Sequence, residues 1–483
     1  GDTAEAEKLL AVQSDYIRRR FDCSDFYLVY YPYILRTFGK RGSGILSEKT
    51  ENELTDCLLG FRYWIDEPGN DAMWFWSENH ALMFHTCQLL AGELFPDEVF
   101  TNSGLTGRQM QAKAKNMLYD WFVTFRKEGF TEWNSSPYLP IDTLGFGSLY
   151  AFAQDPAMRE LGREGMDFAY YLLAVHSQQG IFASSSGRTY IKEQFGNWSN
   201  CPSGLSWIGY GYGVPGHAGK GITSYCLSDY EPPKEFAQWF SIPRGKEMIC
   251  QTTQGNDGYV DLYTYKTADY MMTSANDFHP GEPGHQENPF QLTFNAVAQL
   301  WVTHPGERVL FGAARPSYWA GNGTLPKVNQ YKAFAGLIYD IAPEHPVDFT
   351  HLYLPSMEFD RCEVEGKWAF VQLGSAYAAV YCSNGMRMQD FGSNKDRECI
   401  AEGRRCIWLV RAAQADEFAA FEDFKAAMRG AALDADAEGR RYRFVDPVYG
   451  ELRCQWGETL YVNDAPMQYS GFDNYGKLTM QEK

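Results

Sequence analysis

Ser77-Glu78-Asn79-His80 sets an amide and an imidazole side by side where a helical pattern begins, and a phenol, Tyr138, follows 58 residues after His80. An amide and a donating imidazole can neutralise a sugar carboxylate through hydrogen bonds, as an oxyanion hole does in acyl transfer. Neutralising the carboxylate of a uronic acid makes the proton on the neighbouring carbon easier to remove. A tyrosine can take that proton or return one to the departing oxygen, provided cations bring its pKa down from about 10. The set therefore suits β-elimination. Ser77 reads as the N-cap, which puts Asn79 and His80 in a first turn whose free N–H groups and dipole favour an anion. The same dipeptide also reads as a plain helix cap beside a partly buried histidine.

Three further polar clusters stand out. In Ser184-Ser185-Ser186-Gly187-Arg188-Thr189-Tyr190, Arg188 can fork onto a carboxylate or sulfate and Tyr190 is a second phenol. The loop from His279 to Pro289 carries His279, Glu282, His285 and Glu287 among glycines and prolines. It fits substrate contact, a plain ordered loop, or a structural zinc or calcium site using His279, His285 and His304. Tyr318 and Trp319, beside Gly321 and Gly323, fit a sugar subsite or an aromatic anchor. Trp133, in the loop that leads to Tyr138, offers another ring.

The elements that must position these residues change character near residue 235. Before it, apolar residues recur at helical spacing, predicting helices at Glu78–Phe95 and Gln109–Arg126 and others near 4–20, 51–63, 141–153 and 158–176. After it, alternating and β-branched runs such as Tyr259–Tyr265, Lys367–Leu373 and Arg405–Val410 predict strands, with one helix near 415–429. Pro232-Pro233 marks the hinge. The expectation is α+β with segregated domains: residues 1–234 as an incomplete α/α toroid of helical hairpins, and residues 235–483 as an antiparallel β-sandwich.

Composition limits the partners. The 483 residues are 45% hydrophobic and 22% charged, as in globular chains. A net charge of −18 argues against nucleic acid. It also sits awkwardly with an anionic polymer, although a local basic cleft can coexist with it. No apolar run reaches the roughly 18 residues that would cross a bilayer. The 11 cysteines form no CxxC pair and read mostly as reduced, buried thiols. Aromatics reach 16%, and rings offer flat platforms to sugar faces. Glycosylation sequons occur at Asn134, Asn197 and Asn322.

With Asn79-His80, Tyr138 and the helix-then-strand plan in view, the chain resembles polysaccharide lyases built from a helical toroid and a β-sandwich, the alginate lyases and heparinase II/III-like enzymes. The resemblance implies that Asn79 and His80 neutralise the carboxylate, that Tyr138 transfers protons, and that His285 is the sandwich histidine. Glu78, Trp133, Arg188, Tyr190, Tyr318 and Trp319 are carried as substrate-binding candidates. It implies an acidic oligo- or polysaccharide as substrate, no required cofactor, and a bacterial host, with a periplasmic, secreted or cytoplasmic location left open. Two features depart from the pattern: the toroid reads short, and the sandwich loop is Gly284-His285-Gln286-Glu287.

Two other readings stay open. A glycoside hydrolase on a similar scaffold needs paired carboxylates about 5–10 Å apart, for which Glu78, Glu132 and Asp142 are available. A non-catalytic carbohydrate-binding protein would keep the aromatic platforms without the polar cluster.

Overall fold

A computed structural model describes residues 3–195, 201–215, 219–255 and 258–483; the sequon at Asn197 lies outside them. The chain is mixed α+β. Helices occupy its first half and antiparallel sheets its second, with the first strand beginning at Lys246. Two compact units divide it, and they interleave along the sequence. One comprises residues 1–127, 138–169 and 219–232. The other comprises residues 128–137, 170–218 and 233–483.

The helical unit is built around the helices Glu78–Leu94 and Leu139–Phe152. Both are apolar on nearly every face and are buried all round, as a central helix must be. They touch at Gly145, where an added Cβ would stand 2.8 Å from the Leu82 side chain. At their far end, the Glu93 carboxylate accepts from the backbone N–H of Gln154 at 2.8 Å. Contacts of 82 with 145 and of 93 with 154 run in the same direction, so the two helices are parallel. The helix Gly107–Glu128 runs antiparallel to Glu78–Leu94: Trp121 Nε1 donates to the Glu78 carbonyl, and Gln88 Nε2 to the Met110 carbonyl. Thr3–Arg18 and Glu48–Gly60 pack together outside this trio.

In the other unit, nine antiparallel strands form one sheet. Its order is Arg387–Met388, Glu398–Glu402, Phe349–Tyr353, Gln299–Thr303, Phe290–Thr293, Met271–Asn276, Val260–Lys266, Lys246–Gln254 and Lys477–Glu482. A six-stranded sheet runs Lys327–Tyr331, Phe334–Asp340, Arg405–Gln414, Ala376–Cys382, Trp368–Leu373 and Arg361–Glu365. Tyr265, Leu292 and Val302 of the first sheet and Leu337, Val380 and Val410 of the second belong to one core. A five-stranded sheet spans residues 433–466. It is tied to the six-stranded one where Arg411, fully buried, bonds Asp446 and Glu417 at 2.7 Å each. Among the described residues no helix is long and apolar enough to cross a membrane.

Candidate functional site

Ser77 occupies the N-cap of Glu78–Leu94 with extended backbone, but its hydroxyl makes no capping bond. Ser77 Oγ and Asn79 Oδ1 are both buried without a hydrogen-bond partner. Buried polar atoms are nearly always paired, and an amide's oxygen and nitrogen are interchangeable in placement. The first turn therefore keeps unspent bonding capacity at the positive end of a 17-residue helix.

His80, beside Asn79, is fixed from outside its own helix. Its Nδ1 lies 2.9 Å from Oδ2 of Asp25, which is fully buried on the short helix Ser24–Leu28. Its ring stacks on Phe26 at 4.9 Å. Its Nε2 faces the other way, 3.8 Å from Asp22 Oδ1. Burial pushes the Asp25 carboxyl above the usual carboxylate range, against the pull of the His80 hydrogen bond. Cys23 stands between the two aspartates in the left-handed region (φ 65°), and burial raises its thiol to about 12. No residue spacing signals this pairing, because Asp25 and His80 are 55 positions apart.

Tyr138 is half-buried and is the N-cap residue of Leu139–Phe152. Because this helix runs parallel to Glu78–Leu94, Tyr138 lies at the same end of the pair as Asn79 and His80. Carried back from Gly145 and Leu82, the register sets Tyr138 about one helical turn from Asn79 along the axis, roughly 6 Å. Asp142 is buried in the following turn. Glu78 is partly exposed and gives its carbonyl to Trp121. His85, further along, packs on Trp64 and is held near a pKa of 3 by burial, so it stays neutral.

The sheet-rich unit assembles its own polar group. Residues 186–189 bridge to the loop before Phe290, with Ser186 and Asn288 exchanging backbone bonds and Thr189 N–H donating to Gln286. This places the Arg188 guanidinium 3.7 Å from Glu132 and within hydrogen-bond distance of the Tyr190 hydroxyl, at 3.3 Å. Arg315 lies over the same ring at 5.5 Å. Asn134 has left-handed backbone (φ 49°), and neither polar atom of its buried amide has a partner. His285 is exposed, and its carbonyl passes so close to Gly321 that a Cβ there would lie 2.3 Å from it. Gly321 also has positive φ, so glycine is required on both counts.

Three of the aromatic candidates are interior. Trp133 is 1% exposed and packs on Phe278. Tyr318 and Trp319 are 5% and 2% exposed. The Tyr318 hydroxyl donates to Glu398 at 2.6 Å, and Trp319 stacks on His351 at 4.1 Å. A sugar platform needs an open ring face, and these rings are instead anchors of the core. The histidines weighed as metal ligands are separate in their bonding. His279 lies 3.5 Å from Glu282 of its own loop, while fully buried His304 bonds the Val347 carbonyl. Among the described residues, the side chains gathered closely enough to hold a metal ion are Asp22, Cys23 and His80.

No family model matches the chain. No curated protein matches it either. Five solved chains do. One of them is a crystal structure of heparinase III, at 9% identity and a TM-score of 0.39, with 91% of this chain and 74% of that one covered.

Proposed function

We propose that the chain is a polysaccharide lyase of the toroid-plus-sandwich kind, cutting an acidic, uronate-containing glycan by β-elimination. The observation that carries this reading is the turn at Asn79: an amide with a buried, unpartnered polar atom, at a helix N-terminus, on the same end of a parallel helix pair as Tyr138. A carboxylate there meets the Asn79 amide and the positive end of the helix dipole together. Asn79 and His80 neutralise the uronate, and Tyr138 moves the proton between C5 and the departing O4. The bond between C4 and the bridging oxygen breaks as the C4–C5 double bond forms, and no water is consumed. Within the sheet-rich unit, His285, exposed on its loop, and Arg188 with Tyr190 remain candidates for contact with an acidic glycan. Elimination needs no redox cofactor.

The test is incubation with a panel of uronate polymers, read by ultraviolet absorbance of the new double bond and by product mass. Products should absorb and carry no added water. Tyr138→Phe and Asn79→Ala should each lower kcat at least ~100-fold, with the circular dichroism of the parent. Products that have gained water would instead assign Glu78, Glu132 or Asp142 to hydrolysis. Silence across the whole panel overturns the enzyme.

A further inference from the structure

We infer that Asp22, Cys23 and His80 form a binding site for a divalent transition-metal cation of the zinc class. The three offer one carboxylate oxygen, one sulfur and one imidazole nitrogen, all within 4.8 Å of one another. The Asp22 Oδ1 atom stands 3.6 Å from Cys23 Sγ and 3.8 Å from His80 Nε2. Ligands bound at about 2.0–2.3 Å in a tetrahedron lie about 3.3–3.5 Å apart, so both separations are close to those of a shared ion.

The surroundings match what metal-bound histidines need. His80 turns its other nitrogen, Nδ1, to the buried Asp25 carboxylate at 2.9 Å, which fixes the ring and makes Nε2 the better electron-pair donor. Phe26 clamps the ring from the side. Cys23 holds its thiol 3.6 Å from the Asp22 carboxylate, which is 55% exposed and leaves the ion a path inward. Thiolate, imidazole and carboxylate together favour zinc, and cobalt(II) as its spectroscopic substitute, over calcium or magnesium. Three protein ligands leave a fourth position for water or substrate oxygen.

The site itself does not depend on catalysis. Its consequence for catalysis does rest on the lyase reading: the cation, next to Asn79, takes over from a His80 proton the neutralising of the substrate carboxylate.

Binding is tested on the full chain after chelator treatment and dialysis. Cobalt(II) titration of the parent should give one equivalent of tetrahedral visible bands and a thiolate-to-cobalt charge-transfer band in the near ultraviolet, and zinc should displace both. Cys23→Ser should abolish the charge-transfer band. Asp25→Asn, which leaves all three ligands in place, should weaken binding by ~10–100-fold. Should Cys23→Ser fail to fold, Asp22→Asn at the exposed ligand must weaken cobalt at least ~10-fold. A parent without these bands, or a charge-transfer band that survives Cys23→Ser, overturns the site. Lyase assays of the zinc-loaded and stripped chain are read separately. Bound metal with no turnover sinks the lyase reading alone, and turnover without metal binding sinks the site alone.

Discussion

Glu398 accepts from three side chains at once: His351 Nδ1 at 2.7 Å, Tyr318 at 2.6 Å and Asn394 at 2.8 Å. The other ring nitrogen of His351, Nε2, lies 2.8 Å from the Thr303 hydroxyl, so both nitrogens are engaged. Burial alone would raise the carboxyl, but the His351, Tyr318 and Asn394 bonds outweigh it and hold Glu398 below the ordinary 4.5. A depressed carboxyl stabilises the fold fully above its unfolded value and loses that contribution as acid reaches the folded one. Glu398→Gln should therefore cost about 3 kcal/mol at neutral pH. The gap from the parent should narrow as pH falls below about 4.5, as measured by urea unfolding across pH. A gap that does not change with pH would mean that packing, not charge, makes the difference. Nothing in the sequence announces this knot, because its members come from residues 303 to 398 and meet only through sheet pairing. Tyr318 and Trp319 look like open rings when read beside their glycines; Glu398, which takes the Tyr318 hydroxyl, lies 80 residues further along the chain. That Asn79 and His80 fall in the first turn of a helix was legible because a helix start is a local signal, whereas the approach of Asp25 to His80 became visible only once the helices packed.

Gly145 decides how near two central helices can come. A Cβ at this position would meet Leu82 at 2.8 Å, closer than packed carbons tolerate, and Met83 Sδ at a tight 3.3 Å. Alanine gains helix propensity of up to about 1 kcal/mol but must push Leu82 aside, so the two effects oppose. Valine adds two more carbons and loses that gain. Gly145→Val is expected to destabilise by about 1–3 kcal/mol and lower the thermal midpoint by several degrees. It should also reduce the proposed lyase activity more than the thermal loss explains, since the same contact sets the register of the helix that begins at Tyr138 on the helix that begins beside Asn79. A valine variant with parental midpoint and turnover would show that the helices separate freely. Long helices such as Glu78–Leu94 and Leu139–Phe152 were readable from apolar spacing, as were the strands Val260–Lys266 and Trp368–Leu373. The short helices Ser24–Leu28, Tyr31–Phe38 and Ile222–Cys226 were not. Runs of five to eight residues hold too few turns to show a period. The shortest stretch, Ser24–Leu28 with Cys23 as its N-cap, nevertheless brings Asp25 to His80.

The whole molecule carries 61 acidic against 43 basic residues, a net charge of −18, and its proposed substrate is an anion. At long range the two repel, and this field slows encounter without touching bonds made inside the site. The screening length is about 30 Å at 0.01 M salt and about 10 Å at 0.1 M. Raising ionic strength over that range removes most of the long-range repulsion while leaving contacts of a few ångströms nearly intact. KM for a uronate polymer should therefore fall as salt rises, with kcat little changed, and a neutral oligosaccharide should show no such trend. Most anion-binding proteins show the reverse, because salt weakens their basic footprint. If KM instead climbs several-fold, local cations such as Arg188 and Arg315 govern binding and the global charge is irrelevant. The sign of that slope thus distinguishes an enzyme that captures its polymer through a basic face from one that admits it against the field and holds it by an amide, a helix end and a bound cation.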